Sequence, residues 1–277
     1  MKEKKIIFTD AEIVEFCKAT KDTNELHHPD FMGKMGKRVI VPGMFALSRT
    51  LVLSADHLKT QANYIRILFN TLLSSGDFAT LSASLVPGNP DVVRLSAINH
   101  KDTFASPEEY SKMMHVENGL EMEFQGILRR LEIDPWQIET FIKLVGTTDI
   151  EVARFQFAVA YASHALLKSI DEPETEVEQE IDRLINGKSQ ISPFYQSLEI
   201  YIPSPFPVFT PGSAMDYYIH FEREKAMRLY SAYVRCESDG MVIFRSKYTL
   251  MGIPDRIILR MAKDIHPLKK YISCSGA

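Results

Sequence analysis

KATKDTNELHHPDFMGKMGKRVIVPGMFALS, residues 18–48, sets Asp22, Asn24 and His27 close together, follows them with a basic run, and ends on Pro42-Gly43 at the head of an apolar run. A carboxylate and an imidazole five positions apart, on a polar segment with neither helical nor strand period, converge on one water only if the backbone loops around it. Pro42 suits the first turn of a helix, where a missing N–H costs nothing. The first N–H groups of a helix opening near Gly43 have no intrahelical partner and can polarise a carbonyl oxygen. Taken singly, each piece has a plainer use. Asp-Thr-Asn suits a helix C-cap and Asx turn, and the apolar face Met44–Val52 suits a core.

Asp22-Thr23-Asn24-Glu25-Leu26-His27, followed by Ile40-Val41-Pro42-Gly43-Met44, resembles the hydratase motif of the MaoC-like family, the (R)-specific enoyl-CoA hydratases and related dehydratases. The motif's usual form is G-D-x-N-P-hydrophobic-H and then an H-G or P-G step. The resemblance implies a hot-dog fold, a long helix wrapped by an antiparallel sheet. By motif position it implies that Asp22 and His27 hold a water, that Asn24 orients them, and that Gly43 N–H receives the thioester oxygen. It implies no cofactor beyond the coenzyme A or phosphopantetheine that the substrate carries, and an acyl-CoA or acyl-carrier-protein thioester as partner. Lys34, Lys37 and Arg38 are candidates to meet the phosphates of that carrier; a solvated basic run is the plainer reading. Two positions depart from the motif: Lys21 replaces its Gly and Glu25 its Pro. If the Gly served a positive φ, Lys21 strains the turn by about 1 kcal/mol. Lys21 beside Asp22 also favours the ionised carboxylate.

The 277 residues suit two domains of ordinary size. Hydrophobic residues at 45% and charged residues at 25% are ordinary globular values. A net charge of −4 and a pI near 6.1 argue against nucleic acid or an anionic membrane as the main partner. Cys17, Cys236 and Cys274 are three thiols without ligand spacing, expected reduced in a cytoplasmic compartment. No apolar run reaches the ~20 residues of a membrane span. Neither a metal site nor a nucleotide loop is visible, and the remaining histidines share no spacing.

The chain then reads as two copies of one pattern. Lys5–Phe8 is strand-like; Thr9-Asp10-Ala11-Glu12 is a capping box, and Ile13, Phe16, Cys17 and Thr20 follow at helical spacing. After the looped segment 21–38, a buried helix runs from Pro42 through Ala55. Strands are expected at Tyr64–Phe69, Asp77–Val86 and Asp91–Asn99, with turns at Ser75-Gly76-Asp77 and Pro87-Gly88-Asn89-Pro90. Ser106–Met114 reads as a short helix and Glu117-Asn118-Gly119 as a linker. Asp134-Pro135-Trp136-Gln137 then starts a helix as Thr9–Glu12 did, and Ile13, Phe16 and Lys18 recur 125 positions on as Ile138, Phe141 and Lys143. Phe155–Leu167 would be the second central helix, Asp171–Glu180 a solvated face, and Asn186-Gly187 a turn. Strands return at Leu198–Ile202, Ala214–Phe221, Met227–Cys236 and Met241–Met251, the last two joined by a Glu237–Gly240 hairpin turn.

The expected architecture is therefore an α+β double hot-dog. Residues 1–118 form a copy with the motif and residues 119–277 a copy without it, packed as a pseudo-dimer. The second copy lacks about ten residues where the polar loop should fall, and no Asp and His stand five apart there. One site per chain follows, with the second copy's long helix and the aromatic-rich Phe194–Phe209 free to shape a substrate groove. The expected function is (R)-specific hydration of trans-2-enoyl thioesters, or the reverse dehydration, in fatty-acid or related acyl metabolism. The rivals are a hot-dog thioesterase and a non-catalytic acyl-binding or partner subunit. Further association into a homodimer stays open.

Overall fold

Thr9 and Glu12 close the capping box their spacing allows: Glu12 N–H donates to Thr9 Oγ1 at 3.2 Å, and Thr9 N–H donates to Glu12 Oε2 at 3.0 Å. At Asp134 the same device recurs, its N–H donating to Gln137 Oε1 at 2.9 Å. Both helices end on a left-handed residue, Lys21 with φ 51° and Gly146 with φ 73°. Cap, helix and stop thus repeat at the spacing of 125 positions.

A computed structural model describes residues 2–60, 62–69, 72–86, 89–99, 112–117, 126–186, 191–210, 212, 214–225 and 228–265. The first half runs β1 (Lys2–Ile7), α1 (Asp10–Thr20), α2 (Pro29–Lys34), α3 (Gly43–Leu51), α4 (Ala55–Thr60), β2 (Tyr64–Leu68), β3 (Phe78–Val86), β4 (Asn89–Asn99) and β5 (Lys112–Glu117). The second runs β6 (Ile127–Glu132), α5 (Pro135–Val145), α6 (Ile150–Asp171), α7 (Glu176–Ile185), β7 (Ile191–Tyr201), β8 (Ala214–Arg223), β9 (Leu229–Ser238), β10 (Met241–Pro254) and α8 (Asp255–Met261).

All these strands join one antiparallel sheet in the order β1-β3-β4-β5-β2-β7-β10-β9-β8-β6. Read outward from its centre, each half repeats the other. The halves meet where β2 pairs β7, from Tyr64 opposite Tyr201 to Leu68 opposite Ser197. An aromatic row crosses from one half to the other: Phe45 stacks on Phe16 at 4.6 Å, Phe16 lies 5.7 Å from Phe141, and Phe141 meets Phe157 edge-on at 5.5 Å. Each of these fully buried rings contributes about 1.5–3 kcal/mol of hydrophobic stabilisation. Tyr217 and Tyr248 donate from the sheet to the carbonyls of Ala158 and Val159, holding α6 against it. The architecture is the α+β double hot-dog expected from the sequence.

Several local expectations are corrected. Lys112–Glu117, partly inside the stretch read as a helix, is a strand paired on both sides by β4 and β2. Sheet partners decide such a short segment, and its own pattern does not. The run Asp171–Glu180 is largely exposed, as expected, with one exception. Glu178 is buried, accepting from the N–H groups of Glu174 and Thr175, while Glu174 pairs with Arg129. The linker positions 118–119, Pro87-Gly88, residues 106–111, Gly187, Met227, Cys274, His100 and His266 lie outside the described residues. Among the described residues, no helix is long and apolar enough to cross a membrane, and no group of three His, Cys, Asp or Glu could hold a metal ion.

Candidate active site

The left-handed turn at Lys21 ends α1 and lets Asp22 N–H reach back to Cys17 O at 2.9 Å. The carboxylate of Asp22 is thereby thrown off the helix. Its Oδ1 accepts Asn24 N–H at 3.0 Å, and Asn24 Oδ1 accepts Leu26 N–H at 3.1 Å, capping the single 3₁₀ turn Glu25–His27. Buried Leu26 is pinned in turn, its carbonyl accepting Ile40 N–H at 3.1 Å. The Asx turn and the cap are both present, and they do the holding.

His27 leaves this turn with Nδ1 2.7 Å from Ile40 O. A carbonyl oxygen only accepts, so Nδ1 carries a proton, and in the neutral imidazole Nε2 presents its lone pair. Nε2 stands 3.9 Å from Asp22 Oδ2, and both side chains are largely shielded from solvent. That is too far for a direct hydrogen bond and within the span that one water bridges.

Pro42 opens α3, and its carbonyl accepts from Phe45 and Ala46 at 3.0 and 3.2 Å. The N–H groups of Gly43 and Met44 are left at the positive end of the helix with no intrahelical acceptor. A Cβ at Gly43 would lie 2.8 Å from Phe69 Cε1, so a larger residue there must displace the ring or the helix start.

These groups line one cavity of about 410 Å³. Its other walls come from the second half: Ser163, Leu167 and Ile170 of α6, Phe194 and Tyr195 of β7, and Ile258 of α8. These side chains are apolar apart from the two hydroxyls, while Asp171, Asn186, Ser192 and Asp255 add polar groups to the same wall. Ser163 Oγ is buried and closes no hydrogen bond of normal geometry, although it lies near enough to the Tyr195 hydroxyl to favour that phenolate. Burial pushes the Tyr195 hydroxyl well above its ordinary range, and the charge of Asp22 adds to this in the same direction. His164, next to Ser163, is held down to about 4, first by burial and then by the charges of Lys21 and Lys168.

Asp22, Asn24, His27 and Gly43 are therefore brought together, but Lys34, Lys37 and Arg38 are not. Lys37 donates to Asp264 at 2.6 Å, and Arg38 donates to Asp77 at 2.6 Å. Asp77 is buried and drew the basic run away from the cavity by its need for countercharge; Lys263 also pairs with it at 3.1 Å. Lys34 is exposed on α2 and does not reach the cavity wall.

Aromatic contacts show what replaces the site in the second half. Arg49 lies over Phe45, which stacks on Phe16; Tyr161 stacks on Phe157, which meets Phe141. Matching Phe45 to Phe157 puts Phe155 opposite Gly43. Phe155 is buried inside α6, packed on Phe206 and Phe244. The loop is absent as well, and by more than the sequence suggested, because α6 begins at Ile150, soon after the cap Gly146.

Ser163, Tyr195 and Phe69 were not singled out in the sequence. They belong to distant strands and helices, and an orphan hydroxyl within an apolar helix is the one local sign that Ser163 offers.

No family model matches the chain, and no curated protein matches it. Among solved structures it is similar to a MaoC-like dehydratase at 8% identity, covering 90% of this chain and 97% of that one, with a TM-score of 0.52. It is also similar to the full-length peroxisomal multifunctional enzyme type 2 from Drosophila melanogaster at 11% identity, covering 90% of this chain and 48% of that one, with a TM-score of 0.52. A protein described as an oleoyl thioesterase from Lactobacillus plantarum shares 7% identity over 91% of this chain and 96% of that one, at a TM-score of 0.46 that carries no argument. At these identities the likeness establishes the fold alone.

Proposed function

We propose that the chain is a hydro-lyase that adds water to trans-2-enoyl thioesters, or removes it from (R)-3-hydroxyacyl thioesters, in fatty-acid or related acyl metabolism. The observation that carries this reading is the 3.9 Å gap between Asp22 Oδ2 and His27 Nε2, in a cavity that also receives the free N–H end of α3. A water in that gap gives a proton to His27 Nε2 as its oxygen bonds to C3. The C2–C3 π pair moves toward the thioester, and the enolate oxygen is met by Gly43 N–H. C2 then takes a proton from the Asp22–His27 pair, which returns to its starting proton count. Asn24 is a positioning residue, since its contacts run to Asp22 and to the 3₁₀ turn. Residues 1–118 carry this chemistry, and residues 119–277 wall the acyl site. The reaction draws on no group beyond the substrate's own pantetheine.

The test follows the enoyl-thioester absorbance when the protein meets crotonyl-CoA and a longer trans-2-enoyl-CoA, beside Asp22→Asn and His27→Gln. Loss of the band in wild type, reduced at least about 100-fold in either variant, supports hydration at this site, and product chirality checks the (R) assignment. Free thiol released from saturated acyl-CoA, with the enoyl band unchanged, would assign a thioesterase instead.

A further inference from the structure

Among the described residues, Ser163 stands apart from the other buried Ser and Thr side chains of the helices. A hydroxyl inside a helix ordinarily satisfies itself by donating to the carbonyl four residues back. Thr20, Ser48 and Thr50 do so, donating to Phe16 O, Met44 O and Ala46 O at 2.9, 2.8 and 2.7 Å. Ser54 donates to Leu51 O at 3.1 Å, and Ser169 Oγ accepts from Arg129 Nε at 2.9 Å. For Ser163 the carbonyl four residues back is Val159 O. Both its lone pairs are taken, one by the N–H of the helix itself and one by the Tyr248 hydroxyl at 3.3 Å. Ser163 is only 6% exposed, its Oγ closes no hydrogen bond of normal geometry, and the residue bounds the cavity.

Packing does not ask for a hydroxyl at this place. Matching Phe45 to Phe157 puts Leu51 at the equivalent position of the first half, and Leu51 is buried there. A buried hydroxyl without a partner destabilises the free protein, whereas a ligand oxygen that meets it restores the missing bond. The Tyr195 hydroxyl stands beside Ser163 on the same wall. Each of the two hydroxyls can donate one hydrogen bond and accept others.

The rest of the lining narrows what they would meet. It includes the carboxylates of Asp22, Glu25, Asp171 and Asp255 but no Lys or Arg, so a negatively charged group would be repelled. Farther along α6 the wall continues through Leu167 and Ile170, about 6 and about 10 Å from Ser163, and is apolar. We propose that Ser163 is a specificity-determining residue that, with Tyr195, receives a neutral oxygen, a hydroxyl or keto group, carried by the acyl chain just beyond its double bond. The inference rests on the enoyl-thioester reading and narrows the substrate to an oxygenated chain with an apolar tail. A plain hydrocarbon chain would pass the two hydroxyls and leave Ser163 unmatched.

The experiment measures kcat/KM for trans-2-octenoyl-CoA and for its 4-hydroxy, 5-hydroxy and 5-oxo forms, using wild type, Ser163→Ala and Tyr195→Phe, with a melting curve for each protein. Wild type is expected to prefer at least one oxygenated chain by about tenfold or more, mainly through KM. Ser163→Ala should bring that ratio close to parity, and Tyr195→Phe should lower it. Ser163→Ala should melt no lower than wild type, because the free protein loses no hydrogen bond. A wild-type preference for the plain chain, or a ratio that Ser163→Ala leaves in place, would overturn the proposal. So would a Ser163→Ala protein that melts lower and loses activity equally on all four substrates, which would give the hydroxyl a structural role. If wild type turns over none of the four, the enoyl-thioester reading fails. Calorimetric titration with octanoyl-CoA and 5-hydroxyoctanoyl-CoA then decides the oxygen site alone. Tighter binding of the hydroxylated chain that Ser163→Ala abolishes upholds it, and equal binding or none ends it.

Discussion

Glu12 and Gln137 occupy equivalent positions in the two capping boxes and face the same problem, a helix-end carbonyl from the opposite half. Gln137 Nε2 donates directly to Ala19 O at 2.8 Å. Glu12 has no proton to give, and Arg49 stands between: its Nη2 donates to Glu12 at 2.6 Å, while its Nε and Nη2 donate to Leu144 O at 3.0 and 2.8 Å. Ala19 and Leu144 are themselves a repeat pair. Arg49 thus completes a pseudo-symmetric contact, and its guanidinium also covers Phe45 at 4.5 Å.

Arg49→Ala should destabilise the fold by about 2–4 kcal/mol, because it strands the Leu144 carbonyl and the Glu12 carboxylate together. Adding Glu12→Gln should recover about 1 kcal/mol or more, since an amide can donate toward Leu144 as Gln137 does toward Ala19. Urea unfolding of the two singles and the double checks this. A double mutant no more stable than Arg49→Ala would refute the equivalence.

Gly43→Ala puts a methyl 2.8 Å from Phe69 Cε1. The ring must move or the start of α3 must shift, and a shift of α3 misplaces the N–H that meets the enolate in the proposed reaction. The expected effect is a fall in kcat of about 10- to 100-fold with little change in KM. Gly43→Ala/Phe69→Leu should regain thermal stability lost by the single variant. Steady-state kinetics and a melting curve read both.

His164 titrates near 4 through burial and the charges of Lys21 and Lys168. Lys21→Met removes one cation, so the imidazole should titrate higher, which an NMR titration reads directly. The sign for stability follows. Between about pH 6.5 and about 4 the unfolded chain takes up a proton that the folded chain refuses, so stability falls with pH across that window. His164→Gln should flatten this part of the profile.

Asp77 gives the acid limb. Burial alone would raise its carboxyl, but hydrogen bonds from Lys263 and Arg38 more than offset this and hold it below the usual carboxylate range. Its contribution is present above the unfolded value, about 3.9, and is lost as pH falls through the folded one. Asp77→Asn should cost about 2 kcal/mol at neutral pH and flatten the stability profile below about pH 4. Denaturation midpoints at stepped pH values test this.

The parts of this molecule legible in its sequence are those set by local chemistry. Thr9 with Glu12 and Asp134 with Gln137 declare helix starts within four residues, and their spacing exposes the repeat. Asp22, Asn24 and His27 are legible for the same reason, since Asx turn, cap and imidazole are held by neighbours. Lys37 and Arg38 were misplaced because their partners, Asp264 and Asp77, are distant in sequence, and a basic run does not announce which carboxylate will claim it. The strand at Lys112–Glu117 depends on β2 and β4, and helix α8 is only about two turns after a long strand. Ser163 and Tyr195 enter the cavity only through the pairing of β2 with β7, which brings the two halves side by side.

Gly43 and its counterpart Phe155 have a meaning for ancestry as well as for packing. A symmetric pair of identical subunits must write the same letter at both places, so a gain at one site is a loss at its twin. Joined in a single polypeptide, the two positions can diverge. One keeps the bare backbone that the proposed reaction needs, and the other fills with a ring packed on Phe206 and Phe244. The two halves, alike in cap, helix and sheet order, thus differ at the one position where a bare backbone and a buried ring cannot be interchanged.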